Sequence, residues 1–499
     1  MDNNSFSYRC WLVLIVTLGS LIYLIRLSGP SDLESYAQFM NVGYVLDLMK
    51  QGHWIVQHDL EGTIMSKPPL HTWLMAPFTW LFGLNRPALT LPSFLSVVAL
   101  GLLVFDIGRR RFGELAGGLA ALAIVLAPIM AKQITLVRTD PAFTLAVTLA
   151  ALAAFSAWEG GKEGGKSWLL FWIMAAISTL IKGPLGIVLA SGGLLVHFWE
   201  KRSTPQQPQF GKAHLPGIAL FLALTLGWFF AAWISAGQAL IDKMFYSEMY
   251  YHAVVEHQGG WRATDLLKPS FFLLLRFLPF SLAFVFALWR VCRKPADDPG
   301  ERRFERFLTC WLLVGLLIFS LVKHQRADHL LPLWPACALL AGREMARFAE
   351  RIGKTRFAGM SVVIGIVLIG STYAAVNANE AKSTTTDNNS AYARELKLAT
   401  NAKLAADAFL ASGLDAKHLY HIDTPMTLQL YLGTYNPFIT REQLEEIIVT
   451  SSAPVDFALG KTSIEDFGIL DRHPDTKRVF RWPSDESEPP VMQVFRAGR

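Results

Sequence analysis

A chain of 499 residues that is 52% hydrophobic and 17% charged, with mean hydropathy +0.32, is not an ordinary soluble globule; such a globule carries about a quarter charged residues. The net charge of +6 sits in short loops between apolar runs, so it needs no nucleic-acid partner and points to a polytopic α-helical membrane protein. The four cysteines, Cys10, Cys292, Cys310 and Cys337, show no metal spacing and none lies in the polar C-terminal region, which argues against a disulfide framework.

The first apolar run, 11–28, follows Arg9 and lacks a small-x-small cleavage site, so it reads as a retained signal anchor. Directly after it, "SDLESYAQFM" puts Asp32, Glu34 and Tyr36 at the water–membrane boundary, with helical amphipathic character from Leu33 to Lys50. Two readings of Asp32 stand side by side. Ser31 or Asp32 opens an interfacial helix as its N-cap, or the Asp32 carboxylate takes the proton of an acceptor hydroxyl as general base.

Next comes "TIMSKPPLHTWL" (63–74), whose apolar run continues to Gly83 and is interrupted by Pro77. That run is about 15 residues, short of the ~20 that a span needs. The following spans are 87–108, 114–132, 140–158, 167–181, 183–199, 214–235, 271–290, 307–322, 329–343 and 357–376, giving about 11–13 transmembrane helices in all. The basic loops are Arg109-Arg110-Arg111, Lys162 with Lys166, Lys201-Arg202, 290–306 and 343–356. With residues 1–10 inside, all of these loops fall on the cytoplasmic side only if 70–84 does not cross. Residues 67–84 are therefore expected along the outer surface, with Lys67 at the outer interface. The same count puts Asp32, Glu34, Arg138, Asp140, Lys182, 236–270, the cluster from Lys323 to His329, and 377–499 outside as well.

Each charge also has a plain reading. Lys67 is an interfacial anchor or an anion ligand, and the prolines after it hold the backbone. Lys182 in "LIKGPLG" is costly between apolar runs unless it meets water or an anion. Arg138 and Asp140 in "VRTDPAF" form a self-satisfied pair or part of a site. Arg326 lies in a dense polar turn. Together these groups make an electropositive cluster with acidic partners, suited to a lipid phosphate or pyrophosphate. The Gly-rich "EGGKEGGK" at 159–166 lacks the context of a phosphate loop and reads as a turn. Neither His53, His58 and Asp59 nor His252, Glu256 and His257 has strict metal spacing; His252 with Glu256 is the weak metal candidate of the two.

From about Asn377 the composition changes. "NANEAKSTTTDNNS" reads as a polar linker, followed by a helical pattern over 391–412 and short apolar runs at 418–421, 427–432, 446–449 and 455–459, then "PPVMQVFRAG". This is expected to be a small extracytoplasmic α/β domain, 377–499, beside a transmembrane part, 1–376.

The motifs "DLESYA", "KPPLHTWL", "RPALTLPS", "GRRRFG", "RTDPAF", "LIKGPLG" and "FSLVKHQRADHLLPLWPACALL" resemble those of the GT-C glycosyltransferases of the protein mannosyltransferase and lipid A aminoarabinose transferase type, over roughly 10–343. The resemblance implies an inverting sugar transfer from an undecaprenyl-type polyprenyl phosphate to an envelope acceptor (lipid A, lipopolysaccharide, another glycan or a protein) at the periplasmic face of the inner membrane. It implies Asp32 as the activating carboxylate, with Glu34 beside it, and Asp140 as the second carboxylate. Lys67 and Arg326, with Arg138 and Lys182, would bind the donor phosphate. Tyr36 and Glu248 would contact substrate, although Glu256 aligns nearly as well as Glu248. The chain departs from the family at Asp32-Leu33-Glu34-Ser35-Tyr36, where Asp-Glu-x-Arg-Tyr is usual, and at Ser66, where Glu often precedes the lysine. No cofactor is fixed by these residues; a divalent metal ion is a candidate without an assigned ligand set. The expected partners are the polyprenyl-linked sugar and a membrane lipid or glycan, with the chain a monomer. A transporter or flippase is the alternative, but it would carry mid-bilayer charges and internal repeats; a non-catalytic assembly factor would not need Asp32.

Overall fold

The structure is a computed structural model that describes residues 3–161, 164–200, 214–250, 263–322, 325–384, 391–460 and 462–498. The chain opens with α1 (Asn3–Leu27), α2 (Tyr36–Gln51), α3 (Leu70–Phe82) and α4 (Arg86–Phe112), then α5 (Glu114–Leu126), α6 (Pro128–Gln133), α7 (Asp140–Gly160) and α8 (Gly165–Lys182). It forms two compact units. One comprises Met1–Arg26, Ser66–His71 and Pro92–Ala374, the other Leu27–Met65, Thr72–Leu91 and Ala375–Arg499.

Among its described residues, the regular structure of the first unit is all helical. Among the described residues, Tyr8–Leu27, Arg86–Phe112, Asp140–Gly160, Leu215–Ala236 and Lys354–Lys382 are long and apolar enough to cross a membrane. The other expected spans are helical too, but several are in pieces. The run 114–132 breaks at Ala127 because Pro128 opens a new helix. The run 183–199 passes through a 3₁₀ turn, Gly192–Leu195. There Gly192 and Gly193 face Val314 and Phe307 so closely that a Cβ would collide with either. The run 329–343 starts as a 3₁₀ segment, Ala327–Leu333, and becomes α-helical over Trp334–Ile352.

The basic segments draw together at one end of this unit. Arg111 and Arg303 both pair with Glu159, at 2.6 and 3.2 Å. Arg306 pairs with Glu200, Arg290 with Glu344 at 3.7 Å and Arg343 with Glu305. Asp140 and Glu159 lie near opposite ends of α7. At 1.5 Å per residue they are about 29 Å apart, close to the ~30 Å of a bilayer's hydrocarbon core.

α3 is one continuous helix of 13 residues with Pro77 inside it, which corrects the expected interruption. It is about 20 Å long, too short to span. His71, Thr72, Met75, Ala76 and Thr79 are buried, while Leu74, Trp80, Leu81 and Phe82 are exposed. An exposed apolar face with Trp at its end suits the boundary of a lipid layer.

The second unit holds a four-stranded sheet of β1 (Tyr420–Ile422), β2 (Val455–Leu459), β3 (Lys477–Trp482) and β4 (Met492–Ala497), in the order β1-β2-β4-β3. β1 and β2 are parallel and the other pairs antiparallel. Alternate residues feed two cores. Ala458, Met492 and Val494 pack with Ala402, Ala406 and Phe409 of the helix Ala391–Ala411. Phe457, Leu459 and Phe495 pack with Leu444 and Ile448 of the helix Arg441–Thr450. One expectation changes here. The helix Lys354–Thr384 runs on into the stretch read as a linker. The runs at 427–432 and 446–449 are helical, in Leu428–Leu432 and Arg441–Thr450. The strand β3 had no matching sequence reading, because its exposed Lys477 and Arg478 hide the alternation.

Candidate active site

In the first unit, polar groups gather at the end of α7 remote from Glu159. Asp140 stands in the first turn of α7 and Lys182 in the last turn of α8. Each charge therefore complements its helix dipole. The Lys182 Nζ donates to Asp140 Oδ1, and lies 5.7 Å from the centre of the Phe143 ring. Gly183, with φ 96°, lets the chain turn directly after the lysine. Arg138 Nη1 donates to Asp328 Oδ2 at 2.7 Å, and Arg326 Nη2 approaches the same oxygen at 3.4 Å. The expected Arg138–Asp140 pair is thus replaced by Arg138–Asp328 and Lys182–Asp140. Arg138 and His329 remain within electrostatic reach of Asp140. Arg326 and His329 also line a pocket whose other walls include Pro269, Phe272, Phe319 and Val322, an apolar slot with a cationic end.

His71 belongs to this group and was not singled out from sequence. It is buried, and neither ring nitrogen has a hydrogen-bond partner among the described residues. Burial pushes its imidazole down to about pKa 4; the Asp140 carboxylate opposes that shift and the Lys67 ammonium adds to it. The signal lay in its position directly after Lys67-Pro68-Pro69-Leu70, on the helix face shared with Met75 and Thr79. Asp328 lies in the dense polar turn with Arg326, and its role as partner of Arg138 is visible only in three dimensions.

In the second unit, α2 begins at Tyr36 with Ser35 as N-cap and no side-chain capping bond. The expected cap at Ser31 or Asp32 is therefore displaced, because Asp32 turns the chain through its backbone: its carbonyl accepts from Ser35 N at 3.1 Å and Gln38 Nε2 at 2.9 Å. The Asp32 side chain is buried, and its Oδ1 has no hydrogen-bond partner among the described residues. Burial first, and the Asp32 charge second, raise the pKa of Glu395. Glu34 differs. Its carboxylate accepts from the backbone N–H groups of Met426 and Thr427, at 3.2 and 2.7 Å, and from the Thr427 hydroxyl. The side chains of Tyr36 and Glu248, and all of His252, Glu256 and His257, lie outside the described residues.

The family model for dolichyl-phosphate-mannose-protein mannosyltransferase matches residues 66–246. An undecaprenyl phosphate-alpha-4-amino-4-deoxy-L-arabinose arabinosyl transferase of Erwinia tasmaniensis is 25% identical over 360 residues, covering 70% of this chain and 63% of its own length. A second of that name, from Pseudomonas fluorescens, is 27% identical over 373 residues, covering 72% and 64%. This chain thus spans a little under two thirds of the curated relatives it matches. The crystal structure of ArnT from Cupriavidus metallidurans bound to undecaprenyl phosphate superposes with a TM-score of 0.69, over 97% of this chain and 98% of that one, at 17% identity. The chain thus has the fold seen in the Cupriavidus ArnT structure, and its residues 66–246 match the mannosyltransferase family model.

Proposed function

We propose that this protein transfers a sugar from an undecaprenyl-type polyprenyl phosphate to an envelope acceptor at the outer face of the inner membrane. The observation that carries this reading is the gathering of Arg138, Lys182 and Arg326 with two carboxylates at one end of the α7–α8 pair. Cations at a helix end can meet a lipid phosphate at the interface. A transporter would hold its charges near mid-bilayer. The names of the relatives and the undecaprenyl phosphate bound to the Cupriavidus protein support the donor class.

In this mechanism the acceptor oxygen attacks the anomeric carbon from the face opposite the phosphate. The new C–O bond forms as the bond to the phosphate oxygen breaks, and the phosphate leaves as an anion. Lys67, Arg138, Lys182 and Arg326 hold that anion by charge-assisted hydrogen bonds. Asp32 receives the acceptor's proton, for which an unpartnered carboxylate oxygen is suited. Asp140 orients Lys182, while Tyr36 and Glu248 contact substrate. Residues 1–376 form the membrane part and 377–499 the outer domain. The test is transfer by the purified protein from polyprenyl-phosphate sugars to lipid A or other envelope glycolipids, paired with lipid analysis of a deletion strain. Loss of one sugar from one glycolipid is the expected result; unchanged glycolipids and glycoproteins with no in vitro transfer would refute the reading.

A further inference from the structure

Outside the cluster just described, one group of ligating side chains converges on a buried carboxylate. Asp47, in the next-to-last turn of α2, is fully buried. Its Oδ1 lies 2.9 Å from His53 Nδ1, and its Oδ2 lies 3.4 Å from His58 Nδ1. Oδ2 also accepts the His58 backbone N–H at 2.8 Å. One ligand atom from each of the three residues lies within 4.8 Å of the others. Gly52, at φ 75°, ends α2 in the left-handed conformation and sends the chain back so that His53 returns over the helix end.

The loop carrying the histidines is built independently of any ion. Asp59 accepts from the N–H groups of Glu61 and Thr63, at 3.0 and 2.9 Å. Gln57 donates to the carbonyls of His53 and Trp54, and Tyr435 donates to the carbonyl of Asp59 at 3.1 Å. The side chains of His53 and His58 remain 52% and 35% exposed, so an ion could enter and water complete its shell.

We infer that Asp47, His53 and His58 form a binding site for a divalent transition ion of the Zn²⁺ class. Two imidazoles and one carboxylate are the donor set of an open zinc site, with a fourth position left for water; imidazole also suits Ni²⁺ and Cu²⁺. Bonds of about 2.0–2.1 Å in a tetrahedron place ligand atoms about 3.4 Å apart, close to the spacing between His58 Nδ1 and Asp47. A dication also neutralises a carboxylate withdrawn from water, which is otherwise costly to bury. The bound ion would pin the loop that carries His53 and His58 onto the end of α2.

The test uses the full-length, tag-free protein in detergent, stripped by chelator and titrated with Co²⁺ and then Zn²⁺. One Co²⁺ per chain, with the visible absorption of a four- or five-coordinate ion and displaced by Zn²⁺, is expected. His53→Ala removes a half-exposed ligand without opening the core and should weaken binding at least about 10-fold, as should Asp47→Asn, whereas His418→Ala, at an exposed histidine elsewhere, should not. Binding unchanged in His53→Ala and Asp47→Asn, or no stoichiometric uptake by the stripped wild type, would overturn the site and leave a proton-shared His–Asp–His bridge.

Discussion

Asp32 and Glu34 stand two residues apart, yet their surroundings differ. Glu34 is consumed by three donors from Met426 and Thr427, whereas Asp32 keeps a buried oxygen unpartnered among the described residues. Asp32→Asn preserves the shape and the backbone turn but cannot accept a proton. It should insert and fold normally and lose about 10²-fold or more in transfer rate at saturating donor, since a positioned base contributes ~10²–10⁴. Glu34→Gln should instead weaken the hold on 425–432, seen as faster amide exchange there, with a smaller loss of rate. Near-normal turnover by Asp32→Asn would remove it from the chemistry. Arg326 differs from Arg138 in a comparable way. Arg138 has the shorter bond to Asp328 and the less exposed side chain. Arg326→Ala should therefore act mainly on donor binding, by about 10- to 150-fold for one charge-assisted bond of ~1.5–3 kcal/mol. Arg138→Ala should in addition lower thermal stability. Donor titration and a melting curve on each variant separate these effects.

At the scale of elements, the chain declared its helices through apolar length and its helix ends through charge. What it hid were breaks and pairings. Pro128 and the Gly192-Gly193 pair divide spans that hydropathy reads as whole. The partner of Asp140 is 42 residues away and that of Arg138 is 190 away, so local sequence suggested the adjacent pair instead. His71 was invisible because its burial depends on which face of α3 turns inward. In the C-terminal sheet, His421 of β1 shows a similar hidden property. It is fully buried, its Nδ1 lies 3.2 Å from the Thr424 hydroxyl, and burial pushes its pKa from 6.5 to about 3. The unfolded chain takes up a proton near pH 6.5 while the folded one does not. Stability of this sheet is thus lost as pH falls below about 6.5, by up to ~1.4 kcal/mol per pH unit. Amide exchange at β1 and β2 of the full chain, corrected for intrinsic rates, should accelerate between pH 6.5 and 5. His421→Gln should flatten that dependence, and an unchanged slope in the variant would assign the acid sensitivity elsewhere.

At the scale of the whole molecule, two independent facts bear on how the chain threads the bilayer. The loop-charge count puts every basic loop inside only if α3 does not cross. The geometry of the first unit brings Arg111, Arg303, Arg306, Arg290 and Arg343 together around Glu159, Glu200, Glu344 and Glu305. One hydrophobic thickness away along α7, Asp140 meets Lys182. Charges thus mark both ends of one helix, and from the positive-inside bias we propose that the arginine-rich end faces the cytoplasm. A chain with α3 as a full span would need a 13-residue helix to bridge ~30 Å, which 1.5 Å per residue does not allow. Single cysteines can be placed at Glu61, which is exposed ahead of α3, and at Arg110, whose side chain is 61% exposed. Cys10 and Cys292, the two exposed native thiols, would first be changed to serine. A membrane-impermeant maleimide applied to spheroplasts should label Glu61→Cys at once and Arg110→Cys only after permeabilisation. Labelling of Arg110→Cys from outside would reverse the threading and put the Asp140–Lys182 end in the cytoplasm, away from any outer-leaflet acceptor.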